Sequence, residues 1–416
     1  MYRHTTLTRA ITVAALGLGA AGCSDYLKVI NPSVIDVNAT DPVNDAPVLA
    51  SSAVQNFAAA YGWMIMYSGW FTGETDVSET FPTRNEYGRR AVDPTNGSHV
   101  TDVWTPLSQA AASAYLVLKL DLPNPDGNIA YVRANHALAW SYLLMAEQFC
   151  TGVVLSGTEL TTAQMLDSAI ARFTDVVDQG TAVNTTESKA LANAALVGRA
   201  RAKLQAGQKA AAAADAALVP AGFTYNVNYF DDLSNRTRVS NRLWQFTADR
   251  GSNAVAPAFR VDDPRLKWRV APSNLLPQDA NYNVDRGVPY AIQDKYPGYA
   301  SAIRLASKLE ADYIAAEANG PAAQLALIQA QRAAANQPPY DGPTDDAAVL
   351  AEFETQRGIE FYLEGKRMGD LRRNGDAVKF VPVPGSTYWK PGFAPVGNQV
   401  CYPLPQTERD NNPNLH

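Results

Sequence analysis

The stretch ALVGRARAKLQAGQKAAAAADAAL, Ala195 to Leu218, decides the fold. Small and apolar residues run through it with helix-forming Arg, Lys and Gln between them, and the expectation is continuous helix. Ala200, Gly207 and Ala212 stand seven and then five positions apart. Residues this small at such spacing let one helix lie close against another.

Working outward, residues 162–179 pair with 187–218, and 301–319 with 321–335. Paired helices with small contact positions are the pattern of tetratricopeptide repeats, although the aromatic positions of that repeat are missing. The expectation is a mainly α fold: degenerate helical hairpins rather than a regular array. Upstream, Asn44-Asp45 opens a long helix over 44–71, with Val48, Val54, Phe57, Tyr61 and Ile65 as apolar positions. Thr105-Pro106 starts another that runs to about Leu120. In residues 131–150, Val132, His136, Ala139, Leu143, Ala146 and Cys150 share one face. The other faces are also apolar, so this helix is buried on most sides, with His136 as a hydrogen-bonded core residue.

Two segments break the periodicity. Residues 69–104 and 220–300 are rich in Gly, Pro and Asn, with strand-like runs such as Leu243–Phe246 in the second. Irregular segments this long inside a compact chain are usually functional.

Composition narrows the function. The 416 residues carry a net charge of −6, against the basic patch that nucleic acid demands. Three cysteines and four histidines have no metal-ligand spacing. Gly-rich phosphate loops, G-x-S-x-G and His–carboxylate pairs are missing as well. The expectation is a protein that is not an enzyme and takes no cofactor. Cys150 and Cys401 could pair, but sequence does not say whether their Cα atoms come within bridging distance.

The N-terminus reads as an export signal. MYRHTTLTR carries Arg3 and Arg9 and no acid, and AITVAALGLGAA follows, the length of a secretory apolar region and too short to span a bilayer. Ala20, Ala21 and Gly22 before Cys23 resemble a bacterial lipobox. Residues 1–22 are then the signal peptide, Cys23 the lipid attachment site, 23–43 a tether and 23–416 a single domain. The alternative is an ordinary signal peptide cut near Ala21, with Cys23 a free thiol.

The most patterned stretch is FETQRGIEFYLEGKRMGDLRR, Phe353 to Arg373. Arg357, Glu360, Glu364, Arg367 and Leu371 form one stripe of a helix at 3-4-3-4 spacing. Two glutamates on one face suggest a glycosidase pair. The flanking arginines favour the ionised form of both, whereas a general acid needs a raised pKa, so a structural ion-pair stripe is the reading adopted.

Taken together, four stretches resemble the SusD/RagB family. They are Cys23–Leu27 with Asn31-Pro32, SAIRLASKLEADYIAAEANG at 301–320, RGIEFYLEGKRMGDLRR at 357–373, and the closing PLPQTERDNNPNL at 403–415. The resemblance implies a tetratricopeptide-like scaffold supporting an irregular, loop-rich ligand face. It further implies an outer-membrane lipoprotein facing the cell exterior that binds oligosaccharide. Such a protein caps a TonB-dependent barrel of the SusC type, touching it through the helical face, and hands nutrient to it. Some branches of the family bind peptides, and helical repeats also serve as protein-interaction scaffolds.

A sugar presents an apolar C–H face ringed by hydroxyls, so exposed loop aromatics beside polar groups are the candidates. These are Trp70, Tyr87 and Trp104, near Asp76, Arg84 and Asn85, and Tyr282 and Tyr290, near Asn281, Asn283 and Arg286. Trp63, Trp140, Trp244 and Trp268 are assigned to packing.

Overall fold

The structure is a computed structural model that describes residues 41–415. The expected signal peptide (1–22), Cys23 and all but the last residues of the 23–43 tether lie outside the described residues. The chain divides into an N-terminal unit, Met1–Asp45, and a body, Ala46–His416. In the N-terminal unit the Asp41 carboxylate accepts the backbone N–H groups of Val43 and Asn44, an N-cap for the helix that starts there.

Ten helices of eight residues or more occur among the described residues: α1 (Pro42–Thr72), α2 (Thr105–Leu118), α3 (Ile129–Gln148), α4 (Thr162–Val183), α5 (Thr186–Gln205), α6 (Lys209–Ala217), α7 (Lys308–Asn319), α8 (Pro321–Ala334), α9 (Asp346–Glu360) and α10 (Arg367–Asn374). From α2 to α9 each helix packs on the next, and α6 meets α7 across the long excursion that separates them in sequence. The body is therefore a stack of helical hairpins.

Local sequence explains the stops and starts. Asn128 caps α3 by accepting the Ala130 N–H, and 18 of the 20 residues of α3 are buried, as its all-round apolarity requires. Thr161 and Gln164 form a reciprocal capping box at α4. The close contact between α4 and α5 is made by glycines that the repeat spacing did not mark. A Cβ on Gly198 would stand 2.3 Å from Phe173 Cζ, and one on Gly180 would stand 2.8 Å from the Ser188 carbonyl. Gly207, by contrast, has a φ of +77° and no neighbour within 4 Å. It ends α5 in the left-handed region rather than admitting a neighbour, which splits the expected helix 187–218 in two.

Among the described residues, eight short strands form four antiparallel pairs: β1 (Thr75–Val77) with β5 (Asn253–Val255), β2 (Thr151–Gly152) with β3 (Leu160–Thr161), β4 (Thr224–Val227) with β8 (Ile303–Ser307), and β6 (Trp268–Val270) with β7 (Ala291–Gln293). Two expectations are corrected here. Residues 303–307 are strand rather than helix, because β4 supplies a partner; Ser307 then caps α7 by accepting the Glu310 N–H. Leu243–Phe246 lie in a helix, Arg242–Ala248, because Asn241 accepts the Trp244 N–H and starts it.

The expected single helix over 353–373 is also broken. Leu363 and Gly365 have φ values of +55° and +69°, so α9 stops at Glu360 and α10 starts at Arg367. The 3-4-3-4 stripe is thus divided between two helices and the turn joining them. Finally, Cys150 and Cys401 are bonded with their Cα atoms 5.1 Å apart, beside a bridge in which Cys150 N donates to Tyr402 O and Tyr402 N to Gln148 O.

Candidate functional site

All five aromatics picked as ligand contacts are buried: Trp70, Tyr87, Trp104, Tyr282 and Tyr290 are each at most 4% exposed. Polar groups inside the protein take up most of their polar ends. Trp70 Nε1 donates to Asn253 Oδ1 at 3.0 Å, Trp104 Nε1 to Glu408 Oε2 at 3.1 Å and the Tyr282 hydroxyl to Asp76 Oδ2 at 3.0 Å. Tyr87 donates to Nδ1 of His99, whose Nε2–H is committed to the Pro403 carbonyl. Burial pushes His99 down to about 4, so the ring is neutral. The expectation that these rings form an exposed platform is corrected. Their large apolar rings instead fill space between the irregular segments and the helices.

The polar neighbours converge where the aromatics do not. A cavity of about 250 Å³ opens where β1, the residues after β5, Arg286 and the C-terminal loop 380–396 meet. Asp76 from the first excursion and Arg286 from the second form an ion pair across it, Nε to Oδ2 at 2.8 Å. Trp70 forms part of the inner wall. Half-buried Trp389 stands beside the pair, its ring centroid 5.6 Å from the Arg286 guanidinium carbon. Phe380 and Val383 at the rim are 49% and 65% exposed.

The loop that carries Trp389 is held firmly. Tyr388 donates to Asn85 Oδ1 at 3.0 Å, and the Lys390 ammonium donates to the Glu79 carbonyl and pairs with Asp279. Tyr282 packs edge-on against Trp389 at 5.2 Å. Burial lowers the Arg286 pKa, but Asp76 beside it more than offsets this, so the guanidinium stays charged. Asp76 retains acceptor capacity and Arg286 retains donors, next to a flat indole. That combination has the chemistry to take a ring with an apolar face and hydroxyl edges. Arg84 is not part of it: Glu79, Asp102 and Tyr67 engage its guanidinium.

Trp389 and Phe380 were not picked from sequence. The GSTYWKPGF run around Trp389, with its Gly and Pro turn signals, carried the same signal as the two excursions.

The glutamate pair has a different role. Glu364 is buried and faces Lys295 at 2.8 Å, Arg304 at 2.9 Å and Lys366 at 3.1 Å. Burial alone would raise its pKa, but these cations hold it far below the usual carboxylate range. Glu360 shares Arg304. Glu364 is therefore ionised and has no proton to donate. Among the described residues no group of three or more His, Cys, Asp or Glu is placed to hold a metal ion, and no helix is long and apolar enough to cross a membrane.

Comparison with known proteins bears on fold and family. The SusD family model matches residues 303–416. A SusD superfamily protein from Parabacteroides distasonis superposes with a TM-score of 0.65 at 16% identity, covering 91% of this chain and 99% of that one. A SusD-like carbohydrate binding protein from Bacteroides vulgatus gives 0.62 at 18% identity, covering 80% and 83%. Surface glycan-binding protein A from Bacteroides fluxus gives 0.63 at 14%, covering 89% and 97%. No curated protein matches the sequence. The chain is thus similar in sequence to the SusD family over its last quarter, and similar in fold to SusD superfamily structures over nine-tenths of its length.

Proposed function

We propose that this protein binds an oligosaccharide or polysaccharide at the Trp389–Asp76–Arg286 cavity and delivers it to a SusC-like TonB-dependent barrel. In this reading it is lipid-anchored through Cys23 in the outer membrane, faces the cell exterior and catalyses nothing. The observation that carries the reading is the convergence of three irregular segments on one cavity with an indole and a charged pair. Structural relatives described as carbohydrate- and glycan-binding support it.

Titration calorimetry of the protein against a panel of neutral oligosaccharides tests the site. Trp389→Ala and Asp76→Asn should each weaken binding about tenfold or more, the cost of a desolvated contact in such a site. Unchanged affinity in both variants would remove the cavity from the reading. Extraction of native membranes in mild detergent tests the rest: a diacylglyceryl mass on Cys23 and a stoichiometric large barrel are expected. A soluble, unlipidated, solitary protein would overturn the anchor and the partner.

A further inference from the structure

A second cavity, of about 310 Å³, lies between α1, the start of α2 and residues 235–242. It shares no lining residue with the Trp389 cavity, and its volume is in the range of small-molecule sites. Amide side chains supply much of its polar wall: Gln55 and Asn56 from α1, Gln109 from α2, and Asn235 from the facing loop. The charged residues lining it are both arginines, Arg238 and Arg242.

Arg242 is the unusual one. It is 4% exposed, yet among the described residues no carboxylate lies within ion-pair distance of it. Its guanidinium carbon sits 4.3 Å from the Trp63 ring centroid, and Nη1 donates to Gln245 Oε1. Asp102, the acid whose charge reaches it, is already held by the Tyr67 hydroxyl and by Arg84. Burial therefore pulls Arg242 down to about 10 and Asp102 offsets only part of that.

A buried guanidinium without a counter-charge is costly to keep, and stacking on Trp63 repays it only in part. The fold keeps it against a cavity wall with Nε and Nη2 uncommitted. A guanidinium so placed matches a planar or tetrahedral oxyanion, and four surrounding amides match hydroxyl groups.

We propose that this cavity binds an acidic sugar, a single ring that carries a carboxylate or a sulfate ester. The inference rests on the saccharide-binding reading of the chain, but on a separate site.

The test titrates the full-length protein in detergent with a galacturonate trisaccharide, a chondroitin sulfate disaccharide, neutral galactotriose, tetraglutamate and inorganic sulfate. At least one acidic sugar should bind, and which one binds separates carboxylate from sulfate. Arg242→Gln should weaken it about tenfold or more, the loss expected for a hydrogen bond to a charged group. Arg238→Gln and Asn56→Ala should weaken it less, and Asp76→Asn not at all. If Arg242→Gln does not fold, the Arg238 and Asn56 variants decide.

Equal binding of galactotriose, tetraglutamate or inorganic sulfate would overturn the proposal in favour of a neutral sugar, a peptide or an adventitious ion only. So would failure of both acidic sugars, or indifference to the arginine and asparagine changes. Loss of neutral-glycan binding in Asp76→Asn is read independently, so failure at one cavity is distinguishable from failure at the other.

Discussion

At the scale of single residues, the fold depends on positions where there is no room. Gly198 lies against the Phe173 ring, which is itself wedged edge-on against Trp140 at 5.1 Å. Neither ring is a flexible end that can swing aside. Gly198→Ala should therefore cost about 1–3 kcal/mol in chemical denaturation, the usual penalty for overpacking. Adding Phe173→Leu to that variant should recover part of the loss; strict additivity would show that the contact is not the cause. Sequence marked Gly207 instead, since spacing cannot tell a glycine that admits a neighbour from one that turns the chain. The candidate site was legible to the same degree. Asp76 and Arg286 were noted beside the chosen aromatics, and they do meet. The chosen rings are buried because a loop residue's exposure depends on partners hundreds of positions away, such as Glu408 for Trp104.

At the scale of elements, periodicity located the helical regions among the described residues, since one buried face imposes its period on the chain, but it merged α5 with α6 and α9 with α10. It failed where a non-local partner or a turn decided the outcome. Residues 303–307 became strand because β4 lies beside them, and the 353–373 stripe broke at two left-handed residues. The bond between Cys150 and Cys401 was left open by the sequence, because nothing local says whether two cysteines 251 positions apart meet. Closing so long a loop restricts the unfolded chain, so Cys401→Ser should cost about 2–4 kcal/mol. The melting temperature of the wild type should fall on full reduction, while that of Cys401→Ser, already lower, should not move. A reductant effect of equal size in both proteins would show that the bond is not responsible.

At the scale of the whole molecule, the C-terminal helices enclose more acid than base. Glu74, Glu317, Glu354 and Asp370, all buried, lie among buried Arg357 and Arg367 and half-buried Arg373. Asp370 pairs with Arg357 and Arg373, and Glu317 with Arg373. The surplus falls on the other two: burial first, then neighbouring carboxylates, push Glu354 up to about 8, and burial pushes Glu74 to about 7. Both carboxyls have raised pKa values in the folded state. Their contribution to stability is full below the unfolded value near 4.5 and is lost as pH rises through about 7 to 8. Glu354→Gln keeps an acceptor for Asn374, which donates to Glu354 Oε1. The variant should match the wild type only at a pH below about 4.5, gain on it progressively as pH rises, and melt higher than it at a pH near 9. A difference that does not change with pH would exclude this account.

The bond between Cys150 and Cys401 also has a consequence for damage. Every peptide bond between those two positions lies inside one covalent ring. A protease that nicks the exposed stretch around Leu276, itself 71% exposed, would open the ring without releasing either piece. The nicked molecule would keep its mass on a non-reducing gel and separate into fragments only after reduction. Asp76 and Gln55 precede the ring, whereas Arg242, Arg286 and Trp389 lie within it, so a single cut there leaves both cavities assembled from one covalently connected molecule.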